Sequence, residues 1–371
     1  MNFIFQGHHT GDLDVNSSTS STHRSRYDKE DSMRIRPQRI ICTVDFSDFT
    51  DTALSYSIAL SREFNAKLFL VHVVIEVEPL LKSSEIALDV QALQKSHMDN
   101  AFEQLTALVK KTDLPHEILI VKGDPADKIR DLALEHRADM VITATHGNSG
   151  IKRLLLGSVT EKLIKTIHCP LLVLNTQKFD LPSSSPPGAT PGIRLKKIMV
   201  GCDFSQDSKL AFDYGLSLAQ EFQAELYLTH VVKPSENLEL KASDYIDVTP
   251  ADYVKWRSSD YFEMQKRSMD AKREKFDQLR ENLERQLYFM VPEESRNWCT
   301  PRTALLDGEP YKELITYAQQ EKIDMIVLGI RGHTLWEKLM VGSTTDRIIR
   351  QSPCPVLAVR QMDKKEDGSD N

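Results

Sequence analysis

The sequence contains no apolar run approaching the ~18 residues that a membrane-crossing helix needs, so no segment reads as a span. Met1 to Gln6 is too short to be the apolar part of a secretion signal, and a cytoplasmic location is the default expectation. Cysteine is sparse. Cys42, Cys169, Cys202, Cys299 and Cys354 make an odd count without a CxxC pair, which argues against a disulfide framework or a zinc site. Most of them lie within apolar runs such as Ile40-Ile41-Cys42-Thr43-Val44, and are expected as small buried core residues. A basic excess is missing too. The 47 Lys and Arg stand against 54 Asp and Glu, a net charge of −7, so no nucleic-acid partner is expected. There is no G-x4-G-K-[S/T] phosphate loop, no G-x-S-x-G elbow and no H-E-x-x-H pair.

The 371 residues are enough for about two domains. A composition of 40% hydrophobic and 27% charged residues is that of an ordinary soluble globular chain. Residues 1–36 are polar, with a low-complexity run from Ser17 to Thr22, and read as a disordered tail. Leu181 to Gly192 is dense in proline, serine and glycine and reads as an interdomain linker within 177–193. Residues 362–371 form a second polar tail.

Between these segments the chain repeats itself. Val44-Asp45-Phe46-Ser47 returns as Cys202-Asp203-Phe204-Ser205, and His72-Val73-Val74 as His230-Val231-Val232, both 158 positions on (203 less 45). Gly123-Asp124-Pro125 returns as Gly308-Glu309-Pro310, Gly157-Ser158 as Gly342-Ser343 and Cys169-Pro170 as Cys354-Pro355, all 185 positions on (308 less 123). Copy one covers 37–176 and copy two 194–361. Copy two carries an insert, about 234–294, expected to form one or two long helices on the flank of the sheet.

Within each copy, short apolar runs alternate with stretches of helical period. In copy one, strands are expected at Arg39–Val44, Lys67–Ile75, Glu117–Val121, Met140–Ala144 and Leu171–Leu174. Helices are expected at Thr50–Phe64, Ser84–Thr112, Asp124–His136 and Ser158–Thr166, with Asp124 as an N-cap ahead of Pro125. Copy two follows the same order. That alternation predicts an α/β fold of two tandem, doubly wound, parallel five-stranded sheets. The continuous apolar runs fit strands covered on both faces.

The informative segments follow the fourth strand. Copy two reads Gly329-x2-Gly332-x9-Gly342-Ser343-Thr344: a strand end, a glycine-bearing loop and a helix start. Unpaired N–H groups and the positive dipole end at such a start suit phosphate. Copy one reads Ala144-x2-Gly147-x9-Gly157-Ser158, with alanine in place of the first glycine. No second carboxylate clusters with the glycine loop to hold metal ions for fast phosphoryl transfer.

In this ordered set, seen twice, the chain resembles the universal stress protein family. G-x2-G-x9-G-[S/T] is that family's ATP-binding signature. V-D-F-S, H-V-V, G-[D/E]-P and C-P are similar to its other landmarks. The resemblance implies an adenine-nucleotide alpha-hydrolase-like fold with strand order 3-2-1-4-5. It also implies a stress-response role, with ATP as a regulatory ligand that is not rapidly turned over, and Mg²⁺ accompanying the nucleotide. It points to Asp203 and Asp45 at the nucleoside and to Val231 and Val73 at the base. The residue-level alternative is that both aspartates cap the helix that follows them. His72 and His230 are expected as hydrogen-bonded core residues. Family members pair through the last strand, which here places Leu171–Leu174 beside Val356–Val359 within one chain. A homodimer or a protein partner is the other mode of association. A scaffold that binds no nucleotide and a slow ATPase are the rival readings.

Overall fold

The computed structural model of the protein describes residues 35–76, 84–110, 112–145, 156–175, 193, 195–233, 259–297, 299, 301–331 and 341–361. The N-terminal tail up to residue 34, the linker segment 181–192, insert residues 234–258 and the tail 362–371 lie outside the described residues.

Copy one alternates strand and helix as the pattern predicts. Its elements are β1 (Arg39–Thr43), α1 (Thr50–Phe64), β2 (Lys67–Val74), α2 (Ser84–Val109), β3 (His116–Lys122), α3 (Pro125–Glu135), β4 (Met140–Ala144), α4 (Ser158–Thr166) and β5 (Leu171–Leu174). Copy two gives β6 (Lys197–Gly201), α5 (Gln206–Glu221), β7 (Glu225–Val232), α6 (Ser259–Met290), β8 (Pro301–Asp307), α7 (Pro310–Glu321), β9 (Met325–Gly329), α8 (Ser343–Gln351) and β10 (Val356–Val359). Asp124 caps α3 by accepting the Asp127 N–H at 3.0 Å, with Pro125 next to it.

The strands run β3-β2-β1-β4-β5-β10-β9-β6-β7-β8 in one sheet. Each half has the order 3-2-1-4-5, and neighbours within a half are parallel, as in Ile41 opposite both Phe69 and Val141. Where two five-stranded sheets are expected, the structure therefore joins them into one of ten strands. The join is antiparallel, with Val356 opposite Val173, Leu357 opposite Leu172 and Ala358 opposite Leu171. All eight residues of β5 and β10 are buried. Two apolar layers sandwich the sheet, and each contains residues from both copies. On one face Phe64 of α1 meets Phe222, which follows α5, edge to face at 6.4 Å. These two phenylalanines are repeat equivalents, 158 positions apart, so the contact straddles a pseudo-twofold axis.

Among the described residues, the insert supplies one long helix. Leu287 of α6 and Val291 just beyond it are buried in the layer, while Met269 and Leu279 face solvent. The wet stretch is tied along its own surface by Glu263–Arg267 at 3.4 Å and Glu281–Arg285 at 2.6 Å, both at i,i+4 spacing. The cysteines are free thiols buried in the core, as expected. Burial pushes the thiols of Cys42, Cys169, Cys202 and Cys354 up to about 12, which keeps them protonated and unreactive.

The join carries much of the core, so it is sensitive to a cavity. Leu172→Ala removes a fully buried side chain opposite Leu357. It is expected to lower unfolding free energy by about 2–5 kcal/mol in urea denaturation. A loss under about 1 kcal/mol would show that the join is dispensable to stability.

Candidate functional site

In a doubly wound sheet the ligand crevice lies at the carboxyl ends of the strands, where the order reverses. Here that is between β1 and β4, and between β6 and β9. The chain leaves β1 and β6 by the same turn. The Ser47 N–H donates to Asp45 Oδ1 at 3.0 Å, and the Ser205 N–H donates to Asp203 Oδ1 at 3.0 Å. The residue between them, Phe46 or Phe204, is left-handed at φ 56° or 62°, a region that bulky side chains seldom occupy. Each ring lies against a histidine, Phe46 on His72 at 4.7 Å and Phe204 on His230 at 5.0 Å. Each histidine Nδ1 bonds the carbonyl that ends the preceding strand, Val44 at 2.8 Å or Cys202 at 2.6 Å. The histidines are thus hydrogen-bonded framework residues, as expected.

The aspartates do not cap the following helices. Ser205 caps α5, accepting the Ser208 N–H at 3.2 Å, and α1 starts after Phe49 with no side-chain cap. The left-handed phenylalanine turns the chain first and leaves Asp45 and Asp203 exposed at the carboxyl edge. Val73 is half-buried and lines a cavity of about 380 Å³ with Phe46 and His72, whereas Val231 is buried against the sheet layer.

The helix starts after β4 and β9 are built alike. The Gly157 N–H donates to the Thr145 carbonyl at 2.7 Å, and the Gly342 N–H to the Ile330 carbonyl at 2.8 Å. The Thr160 hydroxyl donates to the Ala144 carbonyl at 2.9 Å, and the Thr345 hydroxyl to the Gly329 carbonyl at 2.7 Å. These threonines latch each helix onto the end of its strand. Sequence reasoning passed over them, although their 185-residue spacing marks them as a repeat pair. Gly157 and Gly342 occupy the N-cap positions and supply no side-chain cap. The first amides of α4 and α8 have no intrahelical acceptor and face the carboxyl edge. Ser158 and Ser343 are exposed there and Thr344 is half-buried. Gly147 and Gly332, with His146, Lys152, Arg153 and Lys338, lie outside the described residues.

The copies differ at three points. A Cβ on Gly329 would meet the Asp207 backbone carbon at 2.7 Å and the Ser208 nitrogen at 2.8 Å, because the first turn of α5 packs onto the strand end. In copy one α1 begins two repeat positions later and Ala144 fits. The buried Asp207 carboxylate also gathers three donors: the Arg331 N–H at 3.0 Å, Arg331 Nε at 3.2 Å and the Gln361 N–H at 3.0 Å. Its counterpart in copy one is Phe49. Third, copy one holds a cleft of about 600 Å³, lined by Ile75, Gly123, Asp124, Ala126, Ser158 and Lys162 among others. Lys162 binds Asp124 at 3.1 Å and Asp127 at 2.7 Å. The Asp127 N–H, and then Lys162, hold the Asp124 carboxyl below its usual range. In copy two the matching positions carry Tyr311 and Arg347. The Arg347 guanidinium sits over the Tyr311 ring at 4.6 Å and 3.8 Å from Glu309.

Comparison with known proteins places this geometry. The model of the universal stress protein family matches residues 37–175 and 194–360. A universal stress protein of Methanocaldococcus jannaschii is 30% identical over 146 residues, 38% of this chain and 84% of its own length. One from Bacillus subtilis is 30% identical over 148 residues, 37% of this chain and 97% of its own. The crystal structure of a universal stress protein from Archaeoglobus fulgidus superposes with a TM-score of 0.57 at 16% identity, covering 88% of this chain and all of that one.

Two outcomes follow from the site. Gly329→Ala forces a methyl onto backbone that cannot give, and is expected to cost about 1–3 kcal/mol in urea denaturation; an unchanged midpoint would refute the close approach. Burial, outweighing the Val44 carbonyl and the Asp45 charge, lowers the His72 pKa from 6.5. The unfolded chain then binds the proton more readily, so the His72 contribution is complete above 6.5 and falls as pH drops through the interval below it. His72→Gln is expected to flatten that part of the stability–pH curve, and an unaltered slope would contradict it.

Proposed function

Because the chain belongs to the universal stress protein family, we propose that it is a cytoplasmic stress-response protein that binds ATP, chiefly in copy two, as a regulatory or conformational ligand without rapid turnover. One observation carries the reading. The α8 start leaves its first amides open behind a glycine N-cap, latched in place by Thr345, at the end of an intact Gly329-x2-Gly332-x9-Gly342-Ser343 pattern. In this reading the N–H groups of Ser343 and Thr344, with their hydroxyls, take the phosphates. Gly332 admits the chain closely to them, and Asp203 faces the nucleoside. Val231 supports the base from within the sheet layer. The described residues contain no group of three or more His, Cys, Asp or Glu placed to hold a metal ion, so Mg²⁺ arrives with the phosphates. Copy one offers Asp45, Val73, Gly147, Gly157 and Ser158 in the same roles.

The open cleft beside Ser158 favours a second reading, in which copy one is also filled in spite of Ala144. A nucleotide-free scaffold of the same fold is the alternative that both readings oppose. Calorimetric titration of ATP with Mg²⁺ into the full chain and into Gly332→Val separates them. About one site per chain, lost in the variant, is the expected result. Two sites with one surviving the variant would establish the copy-one cleft as a ligand site. No binding by the wild type would overturn the proposal and leave the scaffold.

A further inference from the structure

Because β5 and β10 pair antiparallel, the carboxyl edge of one half of the sheet lies at the amino edge of the other. A helix that follows a strand runs back along it. Each of α4 and α8 therefore starts at the carboxyl edge of its own copy and ends at the carboxyl edge of the other copy. There it meets the residue that leaves the other copy's closing strand. Arg360, just past β10, donates from Nη2 to the Ile164 carbonyl and from Nη1 to the Lys165 carbonyl, both at 3.0 Å, in the last turn of α4. Asn175, just past β5, donates from Nδ2 to the Ser352 carbonyl at 3.0 Å, the C-cap of α8. Asn175 and Arg360 are repeat equivalents, 185 positions apart.

Both contacts are sheltered. Asn175 is buried, and Arg360 is half-buried. Burial, reinforced by the Arg331 charge and opposed by Asp207, lowers the Arg360 pKa. The residue after Arg360 belongs to the copy-two site. The Gln361 N–H donates to Asp207 at 3.0 Å, and the Gln361 carbonyl accepts from Arg331 Nη2 at 2.8 Å. Arg331 immediately precedes the Gly332 loop. A continuous series of contacts thus runs from the root of the copy-two glycine loop through Arg331, Asp207, Gln361 and Arg360 to the end of α4, whose other end opens at Ser158. An ion pair between Arg350 of α8 and Glu161 of α4, at 3.9 Å, adds a direct link between the two helices.

We propose that Arg360 and Asn175 are reciprocal positioning residues, each holding the anion-facing helix of the opposite copy, so that the two candidate sites are thermodynamically coupled. A ligand held at the α8 start pins Gly342, whose N–H bonds the Ile330 carbonyl beside Arg331, and through Arg331, Gln361 and Arg360 it bears on α4. From β5, Asn175 reaches α8 directly through the Ser352 carbonyl, without a counterpart of the Asp207 contacts, since Phe49 stands at that position. The identity of the ligand rests on the ATP reading, but the coupling does not need it.

Native-state hydrogen exchange on the full chain without nucleotide tests the coupling. Asp207→Asn, at the root of the copy-two loop, is expected to speed exchange of the α4 amides in copy one at least ~5-fold, the low end of ordinary coupling between sites. The α2 amides, in the apolar layer on the opposite face of the sheet from α4, should stay near their wild-type rates. Arg360→Met alone should speed α4 to a similar degree, and adding Asp207→Asn to it should add less than ~2-fold, because the connection is already cut. Unchanged α4 exchange in Asp207→Asn, equal acceleration in α2, or effects that multiply in the double variant would each overturn the proposal. Arg331→Met loosens the same contacts and serves if Asp207→Asn fails to fold. Adding ATP is a separate arm. If ATP leaves α4 and α8 exchange unchanged while the variants behave as expected, the ATP reading fails and the coupling stands.

Discussion

The antiparallel meeting of β5 and β10 is the constraint on which the rest of the molecule depends. Each half of the sheet alone would leave its fifth strand as an open edge, with a row of unpaired backbone groups inviting another chain. Pairing the two fifth strands within one chain removes both edges and makes two layers into one continuous core on each face. It also sets the pseudo-twofold axis. The reciprocal contacts, Phe64 with Phe222, Asn175 with the end of α8 and Arg360 with the end of α4, follow from that symmetry. So does the placement of the two candidate sites on opposite edges of the sheet. Burial pushes the Tyr56 phenol upward, with Cys354 and Asp324 adding to it, and does the same for Tyr214, with Cys169 and Asp139 adding. The Asp324 and Asp139 carboxylates each act here on a tyrosine of the opposite copy.

Symmetry in the frame makes the differences between the copies informative. The turn after the first strand, the histidine beneath its phenylalanine and the threonine latch are the same in both. The crevice walls are not. Gly329 and Asp207 form a matched pair in copy two, because the glycine admits the first turn of α5 and the carboxylate then organises Arg331 and Gln361. Ala144 and Phe49 stand at those positions in copy one, with α1 starting later. Conversely, Ala126 and Lys162 line a cleft in copy one, and the matching positions in copy two carry Tyr311 with Arg347 over its ring. One copy keeps the glycine pattern and the organised loop root, and the other has alanine at the first glycine and smaller or more flexible side chains beside its helix start.

Much of this was legible in the sequence, and for identifiable reasons. Strand and helix spans depend on local periodicity, so Thr50–Phe64, Met140–Ala144, Ser158–Thr166 and Leu171–Leu174 emerge with the expected bounds. The repeat offsets and the family resemblance supplied the strand order and the partner of the closing strand. What stayed hidden depends on contacts between distant residues. Nothing local to Asp207 marks it as the anchor of Arg331 and Gln361, 124 and 154 residues away. Nor does the glycine pattern show that a Cβ on Gly329 would meet the first turn of α5. Asp45 and Asp203 looked like helix caps because the spacing permits it. The left-handed phenylalanine that diverts them lies against a histidine of the next strand, a contact that local sequence does not reveal.

The proposed function puts an adenine nucleotide at the carboxyl edge between β6 and β9. Photo-labelling the full chain with an azido-adenine nucleotide and mapping the modified peptides tests this most directly. The expected result is modification within residues 199–233, which carry Asp203 and Val231, competed away by ATP, with residues 42–76 as a second target if copy one is filled. Competable labelling that falls outside both segments, or labelling that ATP fails to displace, would contradict it.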